Sequence, residues 1–119
     1  MKSHKLGKQG EKFALEFLRQ QGYNVLTTNY RTKVGEIDVI AREADTVVFI
    51  EVKTRQEGGW DAFEAVHPSK QRKMYRVAEQ YLIETFGNVD VSARFDVLAV
   101  SLLENGALKG ELLKNAFTR

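Results

Sequence analysis

Two apolar runs separated by three residues, Glu36–Arg42 and Thr46–Lys53, constrain this chain more than any other feature. Their Val, Ile and Phe content predicts strands. The linker Glu43-Ala44-Asp45 is short enough for an antiparallel hairpin. If Arg42 pairs with Val47 across the turn, Asp38 stands opposite Glu51. Side chains alternate along a strand. One face of the ribbon then carries Asp38, Ile40, Phe49, Glu51 and Lys53, and the other carries Ile37, Val39, Ala41, Val48, Ile50 and Val52. Apart from the three charges both faces are apolar, which predicts central, largely buried strands.

That placement sets an electrostatic problem. Facing carboxylates repel each other. A buried charge without a partner either costs heavily or is neutralised by a shifted pKa. A divalent cation between Asp38 and Glu51 removes the conflict, and Mg2+ accepts one or two carboxylates with water completing its shell. Lys53, two residues beyond Glu51, faces the same side. An Asp, a Glu and a Lys around a metal make a workable phosphodiester-hydrolysis site, in which the metal activates water and the lysine offsets transition-state charge. A Glu-x-Lys pair on a strand is more ordinarily a solvated face with a weak salt bridge. Here the apolar setting and the matching position of Asp38 favour the site.

Around this hairpin the chain predicts a helix over Lys5–Gln21, with Phe13, Ala14, Phe17 and Leu18 on one face and Gly22 ending it. A strand follows over Tyr23–Tyr30. Gln56–Val66, containing Gly58-Gly59-Trp60, reads as a long loop. A second helix runs from Pro68 to Phe86, with Met74, Val77, Ala78, Tyr81 and Leu82 as its apolar stripe and Gly87 as its stop. Arg94–Ser101 reads as a strand, Asn105-Gly106 as a tight turn and Ala107–Leu113 as the return strand. The order α, β, β, β, α, β, β predicts an α/β domain, a central mixed sheet flanked by helices. At 119 residues the chain suits a single domain over 1–119.

The absence of cysteine excludes disulfides, thiolate metal sites and a cysteine nucleophile. His4 and His67 are too far apart in sequence to make a zinc site alone, and His67 reads as a cap for the second helix. No apolar run spans a bilayer and the basic N-terminus lacks a signal-peptide core, so the expectation is a cytoplasmic protein with no membrane partner. Net charge is only +2. The distribution is more telling. Lys2, Lys5, Lys8 and Lys12 crowd the start, and Lys33 and Arg55 flank the hairpin. Lys70, Arg72, Lys73 and Arg76 crowd the first turns of the second helix, where the macrodipole disfavours cations. No acid follows in that helix until Glu79. This predicts either a phosphate-backbone contact or a solvated face paired with acids elsewhere.

Several stretches together carry a resemblance: Gly10–Leu18 (GEKFALEFL), Gly35–Ala41 (GEIDVIA), Phe49–Arg55 (FIEVKTR), the helix around Lys70-Gln71, Arg94–Val100 (RFDVLAV) and Asn115–Phe117 (NAF). An Asp followed across a hairpin by Glu-x-Lys, after a helix containing a glutamate, resembles the restriction-endonuclease-like nuclease superfamily. More closely, nearly the whole chain resembles the YraN-type family of Holliday-junction-resolvase-like bacterial proteins. The superfamily's usual proline before the aspartate is Ile37 here. The resemblance implies a restriction-endonuclease-like core. It implies Asp38 and Glu51 as metal ligands with the Val52 carbonyl as a third, and Lys53 as the catalytic lysine. Glu11, on its own a solvated helix charge, would complete the acidic cluster or bind a second metal. It implies Mg2+, with Mn2+ as a substitute, and a DNA substrate, branched DNA among the candidates. A homodimer follows by analogy with resolvases that act on two-fold junctions. Lys33, Arg55, Lys70, Gln71 and Lys73 are the candidate nucleic-acid contacts, Gln71 and Tyr75 having the Q-x-x-x-Y spacing of some related nucleases. Trp60 either stacks on a base or folds back on the domain, and Asp96 reads as the buried partner of an arginine. Two other functions stay open: a nucleic-acid-binding module whose nuclease site is vestigial or partner-dependent, and an interaction domain that keeps only the fold.

Overall fold

The computed structural model describes residues 7–56 and 66–118. Lys2, His4, Lys5, Trp60 and most of the expected Gln56–Val66 loop lie outside the described residues. The elements are α1 (Gly7–Gln20), β1 (Asn24–Arg31), β2 (Glu36–Glu43), β3 (Thr46–Gln56), α2 (Pro68–Phe86), β4 (Ala93–Leu102) and β5 (Leu108–Phe117). They form an α/β fold, compatible with a restriction-endonuclease-like core. One five-stranded sheet runs β1-β2-β3-β4-β5. All neighbours are antiparallel except β3 and β4, which run parallel and are joined through α2.

The two helices cover opposite faces. Ala14 and Leu18 of α1 pack with Val39, Ala41, Val48, Ile50, Leu98 and Val100. Met74, Val77, Ala78 and Leu82 of α2 pack with Ile37, Ile40, Val47, Phe49 and Phe95. This double coverage is why β2, β3 and β4 are apolar on both sides. Both helix ends behave as expected. Gly22 takes φ +93° just after α1 and Gly87 caps α2 at φ +82°, a region glycine enters without strain. His67 caps the start of α2, its Nδ1 accepting from the Ser69 N–H at 3.1 Å.

The hairpin register is the one expected, with Arg42 opposite Val47 and Val39 opposite Ile50. One expectation about its faces is corrected. Ile37 does not share a face with Val39; it packs in the α2 cluster with Ile40 and Phe49, while Val39 packs in the α1 cluster. The alternation breaks at Asp38. There the Asp38 carboxylate, instead of a ladder carbonyl, accepts the Val52 N–H at 2.8 Å. Across the other ladder, the pairs Thr28↔Val39 and Tyr30↔Ile37 flank Asn29, whose φ is +51°. Irregularities of this kind re-aim side chains at the edge of a ladder. This one turns Asp38 into a cavity.

Candidate active site

A cavity of about 720 Å³ opens where α1, β1, β2, β3 and the first turn of α2 meet. Glu11, Asn29, Asp38, Glu51, Val52, Lys70 and Lys73 are among its walls. Each element contributes for a local reason. β3 delivers Glu51 from the centre of the sheet, where its backbone is in register with buried Val97 of β4. β2 delivers Asp38 at the break in alternation just described. α2 brings Lys70 and exposed Lys73 to the cavity wall, and its first turn is pinned: Gln71 Nε2 donates to the Val66 carbonyl at 2.9 Å, beside the His67 cap.

Glu51 is 1% exposed. Its Oε2 accepts a hydrogen bond from Lys70 Nζ in an ion pair. This explains the cations at the start of α2 differently from a phosphate contact alone. Lys70 tolerates the positive end of the helix dipole because a buried carboxylate lies beneath it. The half-buried Asp38 is oriented by the Val52 N–H. Among the described residues, three basic groups (Arg31, Lys70, Lys73) and four acids (Glu11, Glu36, Asp38, Glu51) line the cavity. The acid in excess belongs to the cavity as a whole, since Glu36 pairs with Arg31 at 3.3 Å on the rim.

The structure gathers Glu11, Asp38, Glu51, Val52, Lys70 and Lys73 on one cavity. Lys53 is half-buried, in register with Ala99, and stands outside that lining, where Val52 and Thr54 take part instead. Glu11 is exposed on its wall. Among the described residues no three His, Cys, Asp or Glu side chains come close enough to hold an ion together, so Glu11 does not close an acidic cluster with the other two. Arg55 is drawn away, its Nε donating to Ser101 Oγ and its Nη2 to Glu111, both at 2.9 Å. Lys33 is exposed in the β1–β2 turn. Tyr75 contacts Gln71 at 3.5 Å and packs edge-on against Phe95. The two carboxylates are hard oxygen ligands of the kind a hydrated Mg2+ takes, in place of an all-protein cage. Asn29 also lines the cavity at φ +51°, and its one signal in the sequence is that asparagine enters the left-handed region more readily than most residues.

A second polar cluster lies apart from the cavity. Buried Asp96 accepts from Tyr23 Oη at 2.6 Å, from Arg94 Nε at 3.0 Å and from the Asn115 N–H at 2.8 Å. Asp96 is thus the partner of an arginine, as its sequence setting predicts. Arg94 Nη2 also reaches Glu43 at 2.5 Å, and Lys114 Nζ reaches the same carboxylate at 2.8 Å. Burial and the Asp96 carboxylate push the Tyr23 phenol far above its usual range. Burial pulls the Arg94 guanidinium down, but its hydrogen bonds to Asp96, Glu43 and Tyr23 outweigh that and raise it. Hydrogen bonds from Lys114 and then Arg94 hold the Glu43 carboxyl below its ordinary value of 4.5. A carboxyl lowered by folding stabilises the fold above its unfolded pKa, and that contribution is lost as pH falls through the depressed value. Glu43→Gln is therefore expected to lower stability at pH 7. The gap to the unsubstituted protein should close as urea melts are moved below about pH 4.5. A gap that is constant down to pH 3 contradicts this assignment.

Comparison with known proteins agrees with the resemblance read from the motifs. The profile of the family described as "Uncharacterised protein family UPF0102" matches residues 10–100, a span that holds every residue of the cavity named above. A UPF0102 protein of Alkaliphilus oremlandii is 45% identical over 95% of this chain and 97% of its own length. One from Caldicellulosiruptor saccharolyticus is 43% identical over 98% of this chain and 100% of its own. One from Desulforapulum autotrophicum is 47% identical over 95% and 93% respectively. With the profile covering most of the chain and relatives this similar over nearly its full length, the protein belongs to the UPF0102 family, the YraN-type family.

Proposed function

We propose that this protein is a divalent-metal-dependent endonuclease that hydrolyses phosphodiester bonds in DNA, branched DNA among its substrates, with Mg2+ as cofactor and Mn2+ able to replace it. The observation that supports this reading is the presence of buried Glu51 and oriented Asp38 on one cavity, two hard oxygen ligands of the kind a divalent cation takes. When bound, the metal would lower the pKa of a water and neutralise charge on the scissile phosphate. The chain's own part is positional. Asp38 is held by the Val52 N–H, Glu51 is fixed by the centre of the sheet, and Lys70 and Lys73 present cations from α2 to a phosphate backbone. Lys53, half-buried outside the cavity lining, would serve the attacking water or a phosphate oxygen only by turning its side chain toward Glu51. Glu11 on the α1 wall would orient water at the cavity edge. A two-fold junction substrate would suit a homodimer working in the cytoplasm. Among the described residues no helix is long and apolar enough to cross a membrane.

A second reading has one observation in its favour. The ion pair between Lys70 and Glu51 suits a nucleic-acid-binding module whose nuclease site awaits a partner. Incubating the protein with junction, flap and linear DNA, with Mg2+, Mn2+ or EDTA, separates the two. The first reading expects metal-dependent cutting. The second expects salt-sensitive binding, weakened in Lys70→Ala and Lys73→Ala, with no cutting under any metal.

A further inference from the structure

We propose that Lys70 is a built-in counter-cation that competes with the divalent ion for Glu51 and, once displaced, turns to the substrate phosphate, so that the site takes metal before it takes DNA. The inference rests on the metal-binding reading above and concerns how that same site is loaded. Glu51 is 1% exposed, so its charge needs a partner in the folded protein. Lys70 supplies one. Its side chain is 42% exposed and rides on a flexible four-carbon stem, so the ammonium can leave for solvent without moving α2. It also sits in the first turn of α2, which has no acid of its own, where the helix dipole opposes a cation. Glu51 is therefore what offsets that opposition. When the carboxylate is satisfied by an ion, the ion and the dipole both repel the ammonium, and the cavity wall it shares with Lys73 is where it goes. Two lysines then face the position of a phosphate.

A site occupied by its own side chain binds a ligand with an affinity reduced by the fraction of time it is open. If Lys70 covers Glu51 roughly nine-tenths of the time, removing it tightens metal binding about tenfold. The experiment is a Mn2+ titration of the full chain, read by the loss of the free-ion electron paramagnetic resonance signal and by the metal-induced rise in melting temperature. Unsubstituted protein, Lys70→Met, Lys70→Arg and Glu51→Gln are compared, with Lys70→Gln giving the same comparison if the methionine variant does not fold. The expected result is about tenfold tighter Mn2+ binding in Lys70→Met, no tightening in Lys70→Arg, which keeps the charge, and a larger metal-induced stabilisation of Lys70→Met. Unchanged or weaker binding in Lys70→Met, with Mn2+ still bound by the unsubstituted protein, overturns the competition and leaves the metal site standing. No Mn2+ binding by any of the proteins overturns both.

Discussion

Glu51→Ala is expected to reduce metal-dependent DNA cleavage by on the order of a thousandfold or more, about 4 kcal/mol of barrier. The size follows from burial. Glu51 is the most enclosed ionisable group of the cavity, so nothing from solvent can take its place. Lys70, which loses its ion-pair partner, has a half-exposed side chain that can turn to water. Asp38→Ala should fall almost as far, since it removes a proposed ligand and leaves the Val52 N–H without its acceptor. Both variants should match the loss seen with EDTA. Cleavage that persists in both and still depends on metal would place the chemistry elsewhere.

The second large effect concerns stability. Arg94→Met is expected to cost about 3–5 kcal/mol, the usual result of removing one partner from a buried ion pair. Asp96 is fully enclosed and would keep only the Tyr23 hydroxyl and the Asn115 N–H. Glu43 would keep Lys114. Tyr23→Phe, which removes the hydrogen bond to Asp96 and the one accepted from Arg94 Nη2 but no charge, should cost less, about 1–3 kcal/mol. Urea melts read both as a lower midpoint at unchanged slope. A loss below about 1 kcal/mol in Arg94→Met would mean that the cluster behaves as a surface ion pair.

How much of this was legible in the sequence depended on whether the signal was local. The β2–β3 hairpin was, because burial on both faces leaves few registers that hide Val39, Ile40, Ile50 and Phe49 together. The helix ends were, because Gly22, His67 and Gly87 act within one turn. The end of β3 was not. Its last residues, Thr54 to Gln56, are polar yet pair in parallel with Val100 to Leu102 of β4, a partner far away in sequence that no hydrophobic pattern announces. The end of β5 was missed for a related reason. The ladder shifts between Phe95 and Val97, and Asn115 at φ +53° turns its N–H to Asp96, so the strand continues to Phe117 through an irregularity. In the site, hairpin spacing brings both acids to one cavity, but the ladder stops at Val39↔Ile50 and Asp38 departs from the simple alternation. The Ile37 side was misjudged because Asp38 takes a backbone donor and interrupts that alternation. The pairing of Glu51 with Lys70 spans 19 residues, and the sequence shows only its shadow, a helix start crowded with cations.

Anomalous diffraction from crystals grown with Mn2+ would show whether Asp38 and Glu51 share a divalent cation. The expected result is a metal peak between the two carboxylates, with the Lys70 ammonium moved off Glu51. A cavity without a peak, in which Lys70 still holds Glu51 at saturating Mn2+, would contradict it.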